Sequence, residues 1–182
     1  MALRMKEVIG MVLRKRLRKL VEAEEILILP GAYDALSAKL VQAAGFQAVY
    51  LTGYGQSASK LGEPDVGLMC MSEMAERTRD IAMAVDIPVA CDADTGFGNP
   101  VNVIRTVREY ERAGAAAIQL EDQTMPKKCG HMLGRQVVPA EEMLVTTPSK
   151  VRSLMASAVI SAFWPTAMSR MSSSSTSSVI SR

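Results

Sequence analysis

The chain has 182 residues, 48% of them hydrophobic and only 4% aromatic, with 21 Lys and Arg against 19 Asp and Glu. That composition supplies one buried core, and many alanines and methionines with few aromatics predict helices on a parallel sheet rather than a β-sandwich. Three cysteines, at positions 70, 91 and 129, form no CxxC pair, which excludes a disulfide framework and a cysteine zinc site and makes a reducing cytoplasm the expected compartment.

The net charge of +2 is unevenly spread. Residues 1–20 carry seven basic groups against Glu7, and residues 143–182 carry four basic groups and no acid. Between them, residues 21–142 hold ten basic groups against eighteen acids, a net of −8. An acidic body argues against a nucleic-acid partner and suits a bound cation. No apolar run approaches the roughly 18 residues that cross a bilayer, and no signal-peptide pattern is present, so no membrane partner is expected.

In chain order, the first element is a helix over "MKEVIGMVLRKRLRKLVEAEE". Ile9, Leu13, Leu17 and Leu20 fall on one face at helical spacing, which predicts a surface helix rather than an Arg-rich targeting segment. Next come four repeats of one theme, a short apolar run and then an amphipathic segment. Strands are predicted at 26–29 ("ILIL"), 48–51 ("AVYL"), 88–94 ("PVACDAD") and 116–122 ("AAIQLED"). Helices are predicted over 33–45, 71–85, 100–114 and 139–144. Strand–helix units in series imply parallel strands joined by right-handed crossovers.

Polar residues gather at the carboxyl ends of these strands: Thr52 with Gly53, Asp92 with Asp94, and Glu121 with Asp122. A (β/α) barrel or an open α/β sheet places its active site at that end. The stretch "GYGQSAS" (53–59) lacks the third glycine of a dinucleotide loop, and no helix is expected to start there; its amides are expected to face a carboxylate or phosphate. Asp92, Asp94 and Glu121 together are costly in a closed pocket without a cation, and hard oxygen ligands select Mg2+ or Mn2+. Each acid taken singly also fits a helix cap. The spacing of Asp92 and Asp94 puts both on one side of the strand, and the glycines of "DADTGFGNP" permit close backbone approach.

The stretches "LPGAYDALSAKL", "AVYLTGYG", "EPDVGLM", "DADTGFGNP", "IQLEDQ" and "KKCGH", in this order, resemble the isocitrate lyase and phosphoenolpyruvate mutase superfamily over about residues 28–143. "KKCGH" is similar to the loop of its carbon–carbon lyase branch. The resemblance implies an α/β fold, the first half of a (β/α)8 TIM-type barrel with about four βα units after an N-terminal helix. It implies a Mg2+- or Mn2+-dependent site with Asp92, Asp94 and Glu121 as metal residues. Tyr50, Thr52, Gly53, Tyr54, Asp65, Lys128 and Gly130 are implied to bind a small carboxylate substrate, and Cys129 to donate the proton. A thiol in that role gains from Lys127 and Lys128, expected to lower its pKa, and from His131, expected to assist proton transfer or orient the loop. The expected reaction is retro-aldol cleavage of a 2-methylisocitrate-like or dimethylmalate-like acid to a 2-oxo acid. Oxaloacetate decarboxylation and phosphonomutase chemistry are the alternatives within the superfamily. Full-length relatives are expected to be homo-oligomers.

After "VPAEEML" the pattern departs from the family. Residues 144–182 contain no Gly, Asp or Glu and run into "MSSSSTSS", so they are expected to form a Ser-rich, poorly packed tail that arises from a shifted reading frame. A complete barrel takes about 250 residues. The chain is therefore expected to be truncated, with two unpaired sheet edges, and a catalytically inactive fragment that only binds metal or other subunits stands beside the lyase reading.

Overall fold

The computed structural model describes residues 2–146. Helix α1 (Ala2–Val21) is followed by strand β1 (Gly31–Ala32), helix α2 (Ala35–Ala43), strand β2 (Val49–Leu51) and a short helix α3 (Gly53–Gln56) that runs on as one wider turn, Ser57–Leu61. Helix α4 (Met71–Ala84), strand β3 (Val89–Asp92), helix α5 (Pro100–Ala113), strand β4 (Ala117–Gln119) and helix α6 (Ala140–Thr146) complete it. The strands are all parallel in the order β1-β2-β3-β4. Strands in sequence order are those of a (β/α) barrel; a doubly wound sheet reverses its order at a switch point. The α/β half-barrel expectation therefore holds, while the tail expected over 144–182 lies, past Thr146, outside the described residues. Among these residues no helix is long and apolar enough to cross a membrane.

The strands alternate their faces. Val49, Leu51, Val89, Cys91, Ile118 and Leu120 face the helices and share a core with Met74, Ile81, Val103, Val107 and Tyr110. Burying each large side chain of that core contributes about 1.5–3 kcal/mol. On the other face small alanines, Ala48, Ala90 and Ala117, pack with Leu17 of α1, joined by Ala116 just before β4. Only the later part of the expected α1 stripe is inward: Leu17 is buried, whereas Ile9 is 53% exposed.

The first strand is displaced from its expected place. Ile26 to Leu29 makes no ladder, and pairing falls instead on Gly31 and Ala32, with the Tyr50 N–H donating to the Pro30 carbonyl at 2.9 Å. Pro30 has no N–H to contribute, so a ladder cannot run regularly through it. The alternation survives: Leu27 and Leu29 pack inward beside Leu17, while Ile26 and Ile28 are 91% and 62% exposed.

A second correction concerns residues 53–61. A helix does begin directly after β2, because Thr52 is extended, and its hydroxyl accepts the Gly55 N–H at 3.2 Å as an N-cap. The other helix starts follow their sequences more simply. Asp34 and Ser37 form a reciprocal capping box on α2, and Asn99 and Asn102 form one on α5 ahead of Pro100.

Candidate active site at the carboxyl ends of the strands

Strand β3 ends in Asp92, and the turn after it changes register. The Ala93 N–H donates to the Gln119 carbonyl at 2.9 Å, but the Glu121 N–H reaches the Asp94 carbonyl at 2.7 Å, so one extra residue is taken up on the β3 side. Asp94 adopts φ 46° and Phe97 φ 60°, left-handed conformations that cost a non-glycine residue about 1 kcal/mol or more. The strained turn aims the Asp94 carboxylate at the Lys127 ammonium, which bonds Asp94 Oδ1 and lies 2.8 Å from Asp65 Oδ1. Both partner side chains and the lysine are buried.

Asp92 is held by backbone. Its Oδ1 accepts the Asp94 N–H at 2.9 Å and its Oδ2 accepts the Gly53 N–H at 3.2 Å, which ties the end of β3 to the start of α3. Position 53 must be glycine for this contact, since a Cβ there would lie 2.5 Å from Asp92 Oδ2. Glu121, half-buried, accepts from Gln123 Nε2 at 2.7 Å, and Tyr50 donates its hydroxyl to Gln119 Oε1 at 3.1 Å.

Four carboxylates thus gather about one ammonium. Burial, then the charge of Asp92, push Asp94 up to about 6 against the pull of Lys127. Burial likewise raises Asp92, although Lys127 and the Asp94 amide oppose it, with Glu121 and Asp65 adding to the rise. Glu121 is raised chiefly by burial. Burial alone would lower Lys127, but Asp94, Asp65 and Asp92 outweigh it and hold the ammonium above the ordinary lysine range. Tyr50 is raised by burial and by Asp92. The surplus of negative charge is the electrostatic signature of the cluster.

The expected metal residues are neighbours, but they do not form a ready cage: among the described residues no three His, Cys, Asp or Glu side chains stand in metal-holding geometry. Lys127 occupies the Asp94 carboxylate instead. The donor set nonetheless fits Mg2+, which takes one or two carboxylates and keeps several waters rather than demanding an all-protein cage.

The "KKCGH" loop rises from an antiparallel neck. Gln123 bridges Val137, the Thr124 N–H donates to the Gln136 carbonyl at 2.9 Å, and the Val138 N–H to Asp122 at 2.8 Å. The half-buried Cys129 sits in the loop, with its carbonyl accepting the Met132 N–H at 2.9 Å. His131 meets Tyr54 edge-on, ring centroids 6.3 Å apart, joining the loop to α3. The Gly130 carbonyl accepts from Arg135. Beside the neck lies a cavity of about 280 Å³ lined by Gln123, Lys128 and Arg135 among others.

Lys127 bonds Asp65 and Asp94, and Lys128 donates to the Gly134 carbonyl at 3.1 Å, so both hydrogen-bond to groups other than the Cys129 thiol. Sequence reasoning missed Gln123, which clasps Glu121 and both the carbonyl and the N–H of Lys128. It also missed the buried Gln56, which bonds the Tyr33 carbonyl and Arg77. An amide two residues after a strand-end acid was the available signal for Gln123; nothing local marked Gln56.

Residues 17–167 match the family model described as phosphoenolpyruvate phosphomutase. The 2,3-dimethylmalate lyase of Eubacterium barkeri is 60% identical over 129 residues, 71% of this chain and 45% of that protein. Among solved structures, oxaloacetate acetylhydrolase with 3,3-difluorooxalacetate superposes with a TM-score of 0.74 at 39% identity, covering 79% of this chain and 50% of that one. Phosphonopyruvate hydrolase with oxalate and Mg2+ gives 0.67 at 36% identity, covering 80% and 48%. The chain spans less than half the length of the curated relatives it matches.

Proposed function

This chain belongs to the phosphoenolpyruvate phosphomutase family, and from that premise we propose that it carries the metal and proton-donor half of a Mg2+-dependent carbon–carbon lyase site. The substrate class is a 2-hydroxy di- or tricarboxylate of the dimethylmalate or methylisocitrate kind, and the product a 2-oxo acid. The observation that carries the reading is the cluster of buried Asp65, Asp92 and Asp94 with half-buried Glu121 around Lys127, at the strand ends and next to Cys129.

In this reading Asp92, Asp94 and Glu121 hold the ion, with Lys127 giving up Asp94 or sharing it. When bound, Mg2+ supplies Lewis acidity toward the carboxylate and carbonyl of the oxo-acid fragment. The chain supplies the rest. Thr52, Gly53 and Tyr54 at the start of α3 orient the substrate carboxylate, with Tyr50 lining the wall. A carboxylate of the cluster accepts the substrate hydroxyl proton; the C–C bond then breaks to leave a C=O on one fragment and a carbanion on the other. Cys129 gives its proton to that carbanion. His131 and Tyr54 hold the loop over α3, and Lys128 and Gly130 face the distal carboxylate.

The test is release of 2-oxo acid from 2,3-dimethylmalate and 2-methylisocitrate, with and without Mg2+. Metal-dependent release that Cys129→Ser abolishes supports the reading; turnover insensitive to Cys129 removes it. Action on oxaloacetate is the second reading, favoured by the likeness to oxaloacetate acetylhydrolase, and the same assay with that substrate separates the two.

A further inference from the structure

Two hydroxyls on one face of α5 grip the strained turn that carries the metal-site carboxylates. Tyr110 Oη donates to the Asp92 carbonyl at 3.0 Å, and Thr106 Oγ1 donates to the Gly96 carbonyl at 2.9 Å. Both side chains are buried, at 0% and 1% exposure. They stand four residues apart, one helical turn, so they reach the two ends of the segment from Asp92 to Gly96 side by side. That segment contains the extra residue of the ladder and Asp94 at φ 46°. The Phe97 ring stacks on Tyr110 with centroids 6.4 Å apart, and Gly96 sits where a Cβ would meet Val103 at 2.5 Å. A left-handed conformation at a non-glycine residue persists only where its surroundings over-determine it. Here α5 supplies the surroundings.

We propose that Thr106 and Tyr110 are positioning residues of the metal site: they fix the Asp92–Gly96 turn so that the Asp92 carboxylate faces the Gly53 amide and the Asp94 carboxylate faces the cluster. The inference rests on the metal reading above for its consequence but not for its geometry. A threonine hydroxyl that merely satisfied its own helix would bond within α5, as Thr78 does on α4 through the Met74 carbonyl at 2.9 Å, and a tyrosine that merely filled the core would need no partner in the turn. Both α5 hydroxyls instead cross to the turn.

The test uses Tyr110→Phe, Thr106→Val and the conservative Thr106→Ser, with Thr78→Val as a buried-hydroxyl control. Amide hydrogen exchange at Gly53 and Asp94 reads the turn directly, and titration with Mg2+ alone reads the site. Each lost bond is expected to weaken Mg2+ binding about 2- to 10-fold. Exchange at Gly53 and Asp94 should accelerate more than at the α4 amides, Thr106→Ser should restore wild-type behaviour, and Thr78→Val should leave both readouts unchanged. Unchanged exchange at Gly53 and Asp94 in both Tyr110→Phe and Thr106→Val overturns the inference. Wild-type protein that fails to bind Mg2+ overturns the metal reading and leaves the exchange result to decide the positioning role.

Discussion

Lys127 and Asp94, thirty-three residues apart in sequence, form an ion pair in which the two side chains are 1% and 10% exposed. The pair brings the loop after β4 onto the turn after β3, and Asp65 completes it from the segment after α3. One cation thereby organises three separate stretches of chain. The same cation occupies a carboxylate that the proposed function assigns to the metal.

Removing it should be costly. In Lys127→Met the Asp65, Asp92, Asp94 and Glu121 carboxylates lose their only buried counter-ion among the described residues, and breaking a buried pair costs about 3–5 kcal/mol. Urea unfolding should show that loss in metal-free buffer, and millimolar Mg2+ should recover a larger share of stability in the variant than in the wild type. Equal loss with and without Mg2+ would dissociate the lysine from the metal site.

Gly53→Ala tests the tie between α3 and Asp92. A Cβ would fall 2.5 Å from Asp92 Oδ2, so the variant should lose about 1–3 kcal/mol, as overpacked sites do, and its Mg2+ affinity with it. Gly31→Ala is the matched control, because its Cβ would meet nothing nearer than 3.7 Å. The control should unfold near the wild-type midpoint and bind Mg2+ normally.

The pH dependence has a definite sign. Asp94 is raised to about 6, and Asp92 and Glu121 are raised as well. As pH climbs from about 4, the unfolded chain releases the Asp94 proton first, while the folded state holds it until about 6, so Asp94 lowers stability through that window at up to about 1.4 kcal/mol per pH unit, and Asp92 and Glu121 act in the same direction. Asp34 and Glu73 act oppositely: backbone hydrogen bonds depress them, and the stability they give is lost as pH falls through their folded values. Asp94→Asn should flatten the fall between pH 4 and 6 in urea midpoints. Mg2+, which prefers the ionised cluster, should flatten it in the wild type.

The cysteines should react in a set order. Cys91 is fully buried and its thiol is pushed up to about 12 by burial, and the thiolate is the reactive form. Cys70 is exposed and Cys129 half-buried. Iodoacetamide followed by peptide mass mapping should label Cys70 and Cys129 in the native protein and Cys91 only after denaturation. Oxalate with Mg2+ should slow labelling of Cys129 but not of Cys70.

Much of this arrangement was legible because strand periodicity fixes where strands end, and polar residues at those ends must face one another in a parallel sheet. Asp92, Asp94 and Glu121 were marked on that basis, and Lys127 and Cys129 by the make-up of their loop and by family resemblance. Partner choice was not. That Lys127 bonds Asp65 and Asp94 depends on contacts between residues 33 and 62 positions apart, which no local pattern records. The place of β1 was misjudged because an apolar run fits an extended segment whether or not it pairs, and Pro30 moved the pairing downstream. The helix after Thr52 was missed because "GYGQ" has poor helix propensity; a side-chain cap and the packing of the buried Gln56 override it.

The measurement that bears most directly on the central claim is calorimetric titration of Mg2+ into the metal-free chain and into Asp92→Ala at neutral pH. Saturable binding by the wild type, with proton release and with loss of the signal in Asp92→Ala, is the predicted result. Binding unchanged by Asp92→Ala, or no binding by a folded wild type, would contradict the assignment of the buried acid cluster as a divalent-metal site.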